Sequence, residues 1–359
     1  MSFDINPDIT EAWTPPTSFY GDAVAFERSK EAIFAKSWQW ITDVESVKVP
    51  GQVFPFTMLD GFLDEPLMFS RDRNDQLHCL SNVCTHRGNI VCEGASNLNS
   101  FRCRYHGRRF ALDGTFQSMP EFEGVRDFPQ DCDNLAKVPM GEWNGHLFAS
   151  IDPAVSFETV FSPMFERVGF LPLRSAKYAP SRAREYLIKC HWSLYVDNYL
   201  EGFHIPYIHA ALNETLDYSS YGYELLDHGV LQLGIGKGAD DFFDLPTDSP
   251  DYGQNVSAYY YWFFPNLMFN FYPWGLSINV IRPLASGLTK VNFIPYVWDE
   301  SKLGRGAGAD LDRVEREDEA VVEMVQRGMA SRFYKRGRYA PKGEQATHHF
   351  HQILARTIR

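Results

Sequence analysis

The chain has 359 residues, enough for two domains, and its 44% hydrophobic and 15% aromatic residues can bury sizeable cores, which excludes a mostly disordered protein. A formal net charge of −12 with no cluster of Lys and Arg argues against a nucleic-acid partner, because phosphate binding needs a concentrated basic footprint. No apolar run is long enough to cross a bilayer, and residues 1–20 lack a basic-then-apolar leader, so a soluble, cytoplasmic protein without membrane association is expected.

Residues 1–40 form a predicted N-terminal helical segment. The spacing of Val24, Ala25, Ala32, Ile33 and Phe34 places a helix from Asp22 to Ser37. From about Gln39 the texture changes to short Val-, Phe- and Thr-rich runs broken by Gly, Pro and Asp, which read as strand–turn–strand pieces of a β domain spanning 41–153. Inside it stand two closely spaced pairs, Cys84-Thr-His86 and Cys103-Arg-Tyr-His106. Structural zinc sites usually pair like with like, C-x-x-C or H-x-x-x-H, whereas here each pair mixes one Cys with one His. Mixed pairs suit a Rieske [2Fe–2S] cluster, in which two Cys bind one iron and two His the other; a zinc site and chance are the weaker readings. The remaining Cys79, Cys92, Cys132 and Cys190 are scattered, and no disulfide is expected in a reducing compartment.

The region 154–359 opens with a Pro-rich transition and reaches a second site in "HWSLYVDNYLEGFHIPYIH". From Trp192 to Phe203 the segment is apolar almost all round, which predicts a buried helix, and Asp197, Glu201 and His204 at i, i+4 and i+7 predict one polar stripe. Pro206 is expected to end or bend that helix so that His204 and His209 converge on one ion. Two histidines alone are a weak metal signal, and satisfied core histidines are the alternative. Residues 215–300 read as a mixed sheet with many aromatics, in which Met268, Asn270 and Tyr272 alternate with Phe269 and Phe271. The aromatics around 259–274 suit a cation cage, a flat aromatic slot or plain sheet core. The Gly/Asp/Pro-rich stretch 234–255 reads as a surface loop without a dinucleotide fingerprint, and Gly304–Gly308 as a linker.

A helix from about Asp310 to Met329 is acidic. On a helical wheel Val314, Val321, Val322, Val325 and Met329 form an apolar stripe with Asp318 at its centre, while Asp312, Glu315, Glu317, Glu319 and Glu323 point sideways or outward as a solvated face. A lone acid in a buried stripe needs a partner: a metal, or the cation of a buried ion pair.

The segments "NVCTHRG" and "CRYHGRRFALDG", the run Asp197-x3-Glu201-x2-His204-x4-His209 and "REDEAVVEMVQRGM" together resemble the α subunit of Rieske non-haem iron oxygenases, over residues ~40 to ~350. The resemblance implies an α+β chain: a Rieske domain holding the cluster on Cys84, His86, Cys103 and His106, then a catalytic domain with an antiparallel sheet curled around helices (helix-grip type). It implies mononuclear Fe(II) on His204, His209 and Asp318, O2 as cosubstrate, and electrons from NAD(P)H through a separate flavin/iron–sulfur reductase. It also implies a head-to-tail homotrimer in which Glu201, with Asp197 nearby, couples the cluster of one subunit to the iron of the next. Within the family the chain looks most like members acting on quaternary ammonium compounds such as carnitine or glycine betaine, so hydroxylation or oxidative N-demethylation of such a compound is expected. An aromatic ring-hydroxylating oxygenase is the alternative, and an electron carrier without a second iron the alternative of a different class. Two departures stand out: Arg108-Arg109 where Gly-Trp usually follows the second cluster histidine, expected to alter the reductase-docking face, and His191 where Asn usually precedes the helix tryptophan, expected to tune the pocket.

Overall fold

The computed structural model describes residues 3–209, 222–236, 242–305, 308 and 311–358. The chain divides into two compact units: Ala35–Phe157, and a second made of Met1–Phe34 with Glu158–Arg359.

The first unit consists of short antiparallel strands: β1 (Gln39–Asp43), β2 (Gln52–Met58), β3 (Glu65–Arg71), β4 (Leu77–Ser81), β5 (Ser96–Asn97), β6 (Phe101–Arg102), β7 (Arg109–Phe110), β8 (Phe116–Ser118), β9 (Met140–Trp143) and β10 (His146–Ala149). They form three sheets, ordered β1-β10-β9, β4-β3-β2-β5 and β6-β7-β8. Val53, Met68, Leu80, Phe101, Phe110, Leu112 and Leu135 make a shared core, and Cys84 and Cys103 are part of it. The two Cys-His pairs therefore sit on loops anchored in packed β structure.

The second unit is built on an eight-stranded sheet whose pairings are all antiparallel, as the family resemblance implies and unlike the mixed sheet read from residues 215–300 alone. Its strands are β11 (Lys177–Tyr178), β12 (Arg184–Ile188), β13 (Gly222–Leu226), β14 (Gly229–Ile235), β15 (Val256–Phe263), β16 (Leu267–Tyr272), β17 (Gly275–Ala285) and β18 (Leu288–Val297). The last six are paired in chain order, and all but β14 and β15 are joined by short turns, which can only connect antiparallel neighbours. Every residue of β16 is buried, so its alternation separates two covered faces rather than inside from outside. Phe269 points toward Phe161 on one side, with Phe263 beside it at 4.7 Å from Phe161, while Asn270 and Tyr272 face a cavity on the other.

Helices flank this sheet. The N-terminal segment supplies α1 (Thr17–Gly21) and α2 (Ala23–Ser29), the latter continuing as a wider turn through Lys30–Phe34. After α3 (Phe157–Arg167) come α4 (Trp192–Tyr199), α5 (Ile205–Ile208), α6 (Leu311–Met329) and α7 (Gln345–Thr357). Two expectations are corrected here. The helix opened by Trp192 ends at Tyr199 instead of running to Phe203, and Pro206 starts α5 rather than bending α4. Proline fits the first turn of a helix, where its missing N–H has no partner to lose, and Gly202 disfavours continuing α4 across the gap. On α6, Val325 is 39% exposed whereas Glu315 is 5% exposed, so the buried face is turned from the predicted valine stripe toward Glu315, Asp318 and Val322.

Part of the Gly/Asp/Pro-rich stretch (237–241) and part of the Gly304–Gly308 linker (306–307) lie outside the described residues. Among the described residues no helix is long and apolar enough to cross a membrane.

Candidate metal centres and substrate pocket

The two Cys-His loops are built alike. Cys84 N–H donates to the Asn89 carbonyl at 2.8 Å and Gly88 N–H returns to the Cys84 carbonyl at 3.0 Å. In the second loop Cys103 N–H donates to the Arg108 carbonyl at 2.8 Å and Gly107 N–H returns to the Cys103 carbonyl at 3.0 Å. Each turn closes through a glycine in the left-handed region, Gly88 at φ +71° and Gly107 at φ +78°, where a side chain is strained. The glycine after the second histidine is thus present as Gly107, and the departure is carried by the arginines that follow.

The loops bring the His86 and His106 rings to 4.8 Å, edge to face, with Cys84 and Cys103 buried behind them. Burial pushes the Cys84 thiol up, and the neighbouring Cys103 sulfur adds to this. His86 is pushed down, by burial first and by the neighbouring His106 next. The His86 Nδ1 is buried without a hydrogen-bond partner. Two buried sulfurs, two adjacent imidazoles and an orphaned nitrogen fit a mixed Cys/His cluster site.

In the second unit His204, His209 and Asp318 come together, their nearest ligand atoms all within 4.8 Å of one another. The two Nε2 atoms are 3.1 Å apart, and Asp318 Oδ1 lies 3.3 Å from His204 Nε2 and 3.0 Å from His209 Nε2. Three ligands on one face of an octahedral metal, each about 2.1 Å from it, stand about 3 Å apart, so this triangle has the dimensions of a two-histidine, one-carboxylate facial site. The outward Nδ1 atoms are also held: His204 Nδ1 lies 2.6 Å from Glu201 Oε1, and His209 Nδ1 lies 2.8 Å from Glu317 Oε2. Each carboxylate accepts a hydrogen bond from the Nδ1–H, which leaves each Nε2 lone pair aimed at the shared centre. Burial alone would depress the His204 imidazole, but the carboxylates of Asp318 and Glu201 raise it to about 10. His209 is raised in the same way, against burial, by Asp318 and Glu317. Three carboxylates around two imidazoles are a site short of one cation.

Glu201 owes its aim to the break after α4. Its second oxygen accepts the His204 backbone N–H at 2.9 Å, replacing a helical carbonyl in the gap between α4 and α5. Asp197, still inside α4, faces elsewhere: its Oδ1 is 2.8 Å from His351 Nε2, and His351 Nδ1 lies 2.7 Å from the Tyr339 hydroxyl. The predicted stripe of Asp197, Glu201 and His204 is therefore split, because α4 stops between the first residue and the second.

A cavity opens beside the triad, lined by Tyr195, Asn198 and Tyr199 of α4, Tyr260, Asn270, Asn279 and Phe293 of the sheet, and Val314 and Glu315 of α6, among others. Glu315, expected on a solvated face, is buried and accepts the Tyr195 hydroxyl at 2.8 Å. Burial, then the Asp318 charge, pushes the Glu315 carboxyl well up. Tyr199 donates to Asn270 Oδ1 at 2.7 Å, and Gln232 Nε2 donates to the Tyr199 carbonyl at 2.8 Å. The aromatic run 259–274 divides by strand face: Tyr260 and Tyr272 line the cavity, while Phe263 and Phe269 pack on α3.

Of the two departures from pattern, the arginine pair is split: Arg108 is 2% exposed and lies beneath the surface, whereas Arg109 is exposed. His191 does not line the cavity; it caps α4, its Nδ1 facing the Ser193 N–H at 3.3 Å, with Phe19, Tyr20 and Phe26 around its ring.

A sheet-and-helix unit with a two-histidine, one-carboxylate triangle, in a chain that also carries a paired Cys/His cluster fold, defines the class of Rieske non-haem iron oxygenases. The chain belongs to this family: residues 175–359 match the ring hydroxylating alpha subunit (catalytic domain) and residues 37–129 the Rieske [2Fe-2S] domain. It is 28% identical over 370 residues to the chloroplastic choline monooxygenase of Beta vulgaris, covering 99% of this chain and 80% of that one. It is 29% identical over 376 residues to the carnitine monooxygenase oxygenase subunit of Escherichia coli (strain K12), covering 100% and 96%. Its fold matches the structure of a quaternary ammonium Rieske monooxygenase described for carnitine oxidation and inter-subunit electron transfer, with a TM-score of 0.78 at 22% identity over 100% of both chains. The chain is therefore the oxygenase component of a multi-component system. It uses a [2Fe–2S] cluster, mononuclear iron, O2 and reductase-supplied electrons to oxidise a small organic molecule.

Proposed function

We propose that the enzyme oxidises a small quaternary ammonium compound, and that the carrying observation is the wall of the iron-side cavity: a buried carboxylate, Glu315, set among Tyr195, Tyr260, Tyr272 and Phe293. A buried acid whose only hydrogen-bond donor among the described residues is one tyrosine is under-compensated as an anion. A cationic substrate headgroup completes it, and aromatic faces add cation–π attraction. Asn198, Asn270 and Asn279 supply amide contacts for a polar tail.

In this reading Cys84, His86, Cys103 and His106 hold the cluster, and His204, His209 and Asp318 hold the iron. Iron held there supplies O2 activation for oxygen insertion into a substrate C–H bond, with electrons drawn from NAD(P)H through the reductase and the cluster. The protein's own share is positional. Glu201 and Glu317 keep the imidazole Nδ1 protons on the outer side, and Glu315 with the aromatic faces holds the cation so that an N-methyl or adjacent C–H faces the triad. One O2, two electrons and two protons yield water and a hydroxylated carbon; on an N-methyl group the C–N bond then breaks to release formaldehyde and a tertiary amine. The chain works in the cytoplasm as a head-to-tail trimer, with Glu201 linking the cluster of one subunit to the iron of the next.

The test is turnover with a surrogate reductase against choline, carnitine, glycine betaine, the uncharged isostere 3,3-dimethyl-1-butanol and simple arenes, following product and formaldehyde. Turnover of a quaternary amine with little on the isostere is expected. Arene hydroxylation without turnover of any cation overturns the reading.

A further inference from the structure

We propose that Arg108 is a buried cation that sets the reduction potential of the cluster, acting from a clamp that ties the two cluster loops together. The inference rests on the cluster site described above and concerns a residue that neither ligates nor reaches the surface.

The clamp is centred on Asp133. Its backbone carbonyl accepts Thr85 Oγ1 at 2.8 Å, and Thr85 lies between the first loop's Cys84 and His86. The same carbonyl accepts Arg108 Nη2 at 3.1 Å, and Arg108 closes the second loop through its own carbonyl on Cys103 N–H. One peptide group thus joins both loops. Asp133 is fixed in turn, since its Oδ2 accepts the Gln130 N–H at 2.8 Å at the start of a short 3-10 turn (Asp131–Asp133).

The guanidinium is sealed in apolar surroundings. Its carbon lies 4.9 Å from the Phe116 ring centre, 5.5 Å from that of Phe128 and 5.7 Å from that of Phe110. Its counter-charge is one-sided: Asp133 Oδ1 meets Nη2 at 2.5 Å, while Nε is buried with no partner. Arginine keeps its charge under all ordinary conditions, and a two-point fork would neutralise it far better than this single contact. Asp133 is 18% exposed and Arg108 only 2%, so solvent screens the anion more than the cation. The charge stands beside the cluster ligands: Arg108 follows His106 by two residues and holds Cys103 N–H on its own carbonyl, and the Asp133 carbonyl it grips also holds Thr85, between Cys84 and His86.

Reduction adds one electron to the cluster and makes it more negative. A fixed positive charge nearby stabilises that state, more strongly in a low-dielectric setting than in water, and so raises the potential. The consequence is a cluster that takes electrons from the reductase readily and delivers them to iron with less driving force.

Charge makes opposite predictions for the two partners, which general damage to the fold does not. In the holoenzyme, the midpoint potential is measured by EPR-monitored redox titration of the [2Fe–2S] centre, with cluster loading read from visible absorbance. Arg108→Met should lower the potential, Asp133→Asn should raise it, and Arg108→Lys should stay near the parent value. If Arg108→Met fails to assemble a cluster, Asp133→Asn and Arg108→Lys carry the test alone. An unchanged or lowered potential in fully loaded Asp133→Asn overturns the proposal, as does Arg108→Met holding the parent potential.

Discussion

At the iron triangle each histidine has its own outer carboxylate, and the two carboxylates come from different places. Glu201 sits in the break between α4 and α5, and Glu317 one residue before Asp318 on α6, steadied by Arg313 at 3.0 Å. Removing Asp318 takes away a proposed ligand atom, so Asp318→Ala should lose the mononuclear iron while the [2Fe–2S] absorbance stays; iron retained at full occupancy in that variant would place the third ligand elsewhere. Removing the proton acceptor behind a ligand is milder. Glu317→Gln should weaken iron binding by about 10- to 100-fold, measured by chelator competition, without touching the cluster. In the proposed reading Glu315 serves the substrate and not the metal. Glu315→Gln should keep both metals and raise KM for a cationic substrate at least about tenfold, the scale of one lost charge-assisted contact. Its effect on an uncharged isostere should be small, and an equal loss on both would make Glu315 a packing residue.

Among the elements, α4 carries most of the site and depends on its first turn. His191 caps that turn while its backbone N–H donates to Gln326 Oε1 at 2.7 Å, so one residue joins α4 to α6. Complete burial pushes its imidazole down to about 3. The unfolded chain takes up a proton near pH 6.5 that the folded chain resists, so the neutral ring's contribution is whole above about 6.5 and is lost as pH falls toward about 3. His146, buried in the other unit and pushed down to about 4, acts with the same sign. His191→Asn keeps a capping side chain and removes the titration, at the cost of ring packing against Phe19, Tyr20 and Phe26. It should be less stable than the parent at pH 7 by about 1–3 kcal/mol, and the gap should narrow by pH 5, as read from denaturant midpoints. A gap that widens on acidification would contradict a neutral buried His191.

For the whole molecule, the proposed trimer makes electron transfer a property of neighbours rather than of one chain. A chain with Asp318→Ala lacks iron and one with His106→Cys lacks a working cluster, so each alone should be inactive. Co-assembled from both, a head-to-tail trimer should recover part of the parent turnover, because some iron sites then face an intact cluster on the next subunit. No recovery in verified mixed trimers would argue for transfer within one chain. Glu201→Gln preserves shape, and it should keep the cluster and the trimer, bind iron more weakly as Glu317→Gln does, and, once loaded with iron to the parent's occupancy, slow single-turnover oxidation of a pre-reduced cluster. An unchanged rate would confine Glu201 to orienting His204.

Short-range chemistry was legible in the sequence. Mixed Cys-His pairs specify a cluster type, the interval from His204 to His209 keeps two imidazoles on one connected segment, and the alternation from Met268 to Tyr272 is the true period of β16. These signals are carried by spacing along the backbone. What the spacing could not settle is which way a face turns once both sides are covered. Glu315 and Glu317 point inward because α6 packs against α4, where Tyr195 awaits Glu315, and because His209 is brought to Glu317 by the helix break at Leu200–His204. Asp197 leaves the iron for His351, which lies in the last helix of the chain. Arg108 reads as a surface charge until three phenylalanines and Asp133 close over it. A helical wheel or a strand period fixes the angles between side chains, but burial fixes the orientation of the whole wheel, and burial is decided by partners distant in sequence.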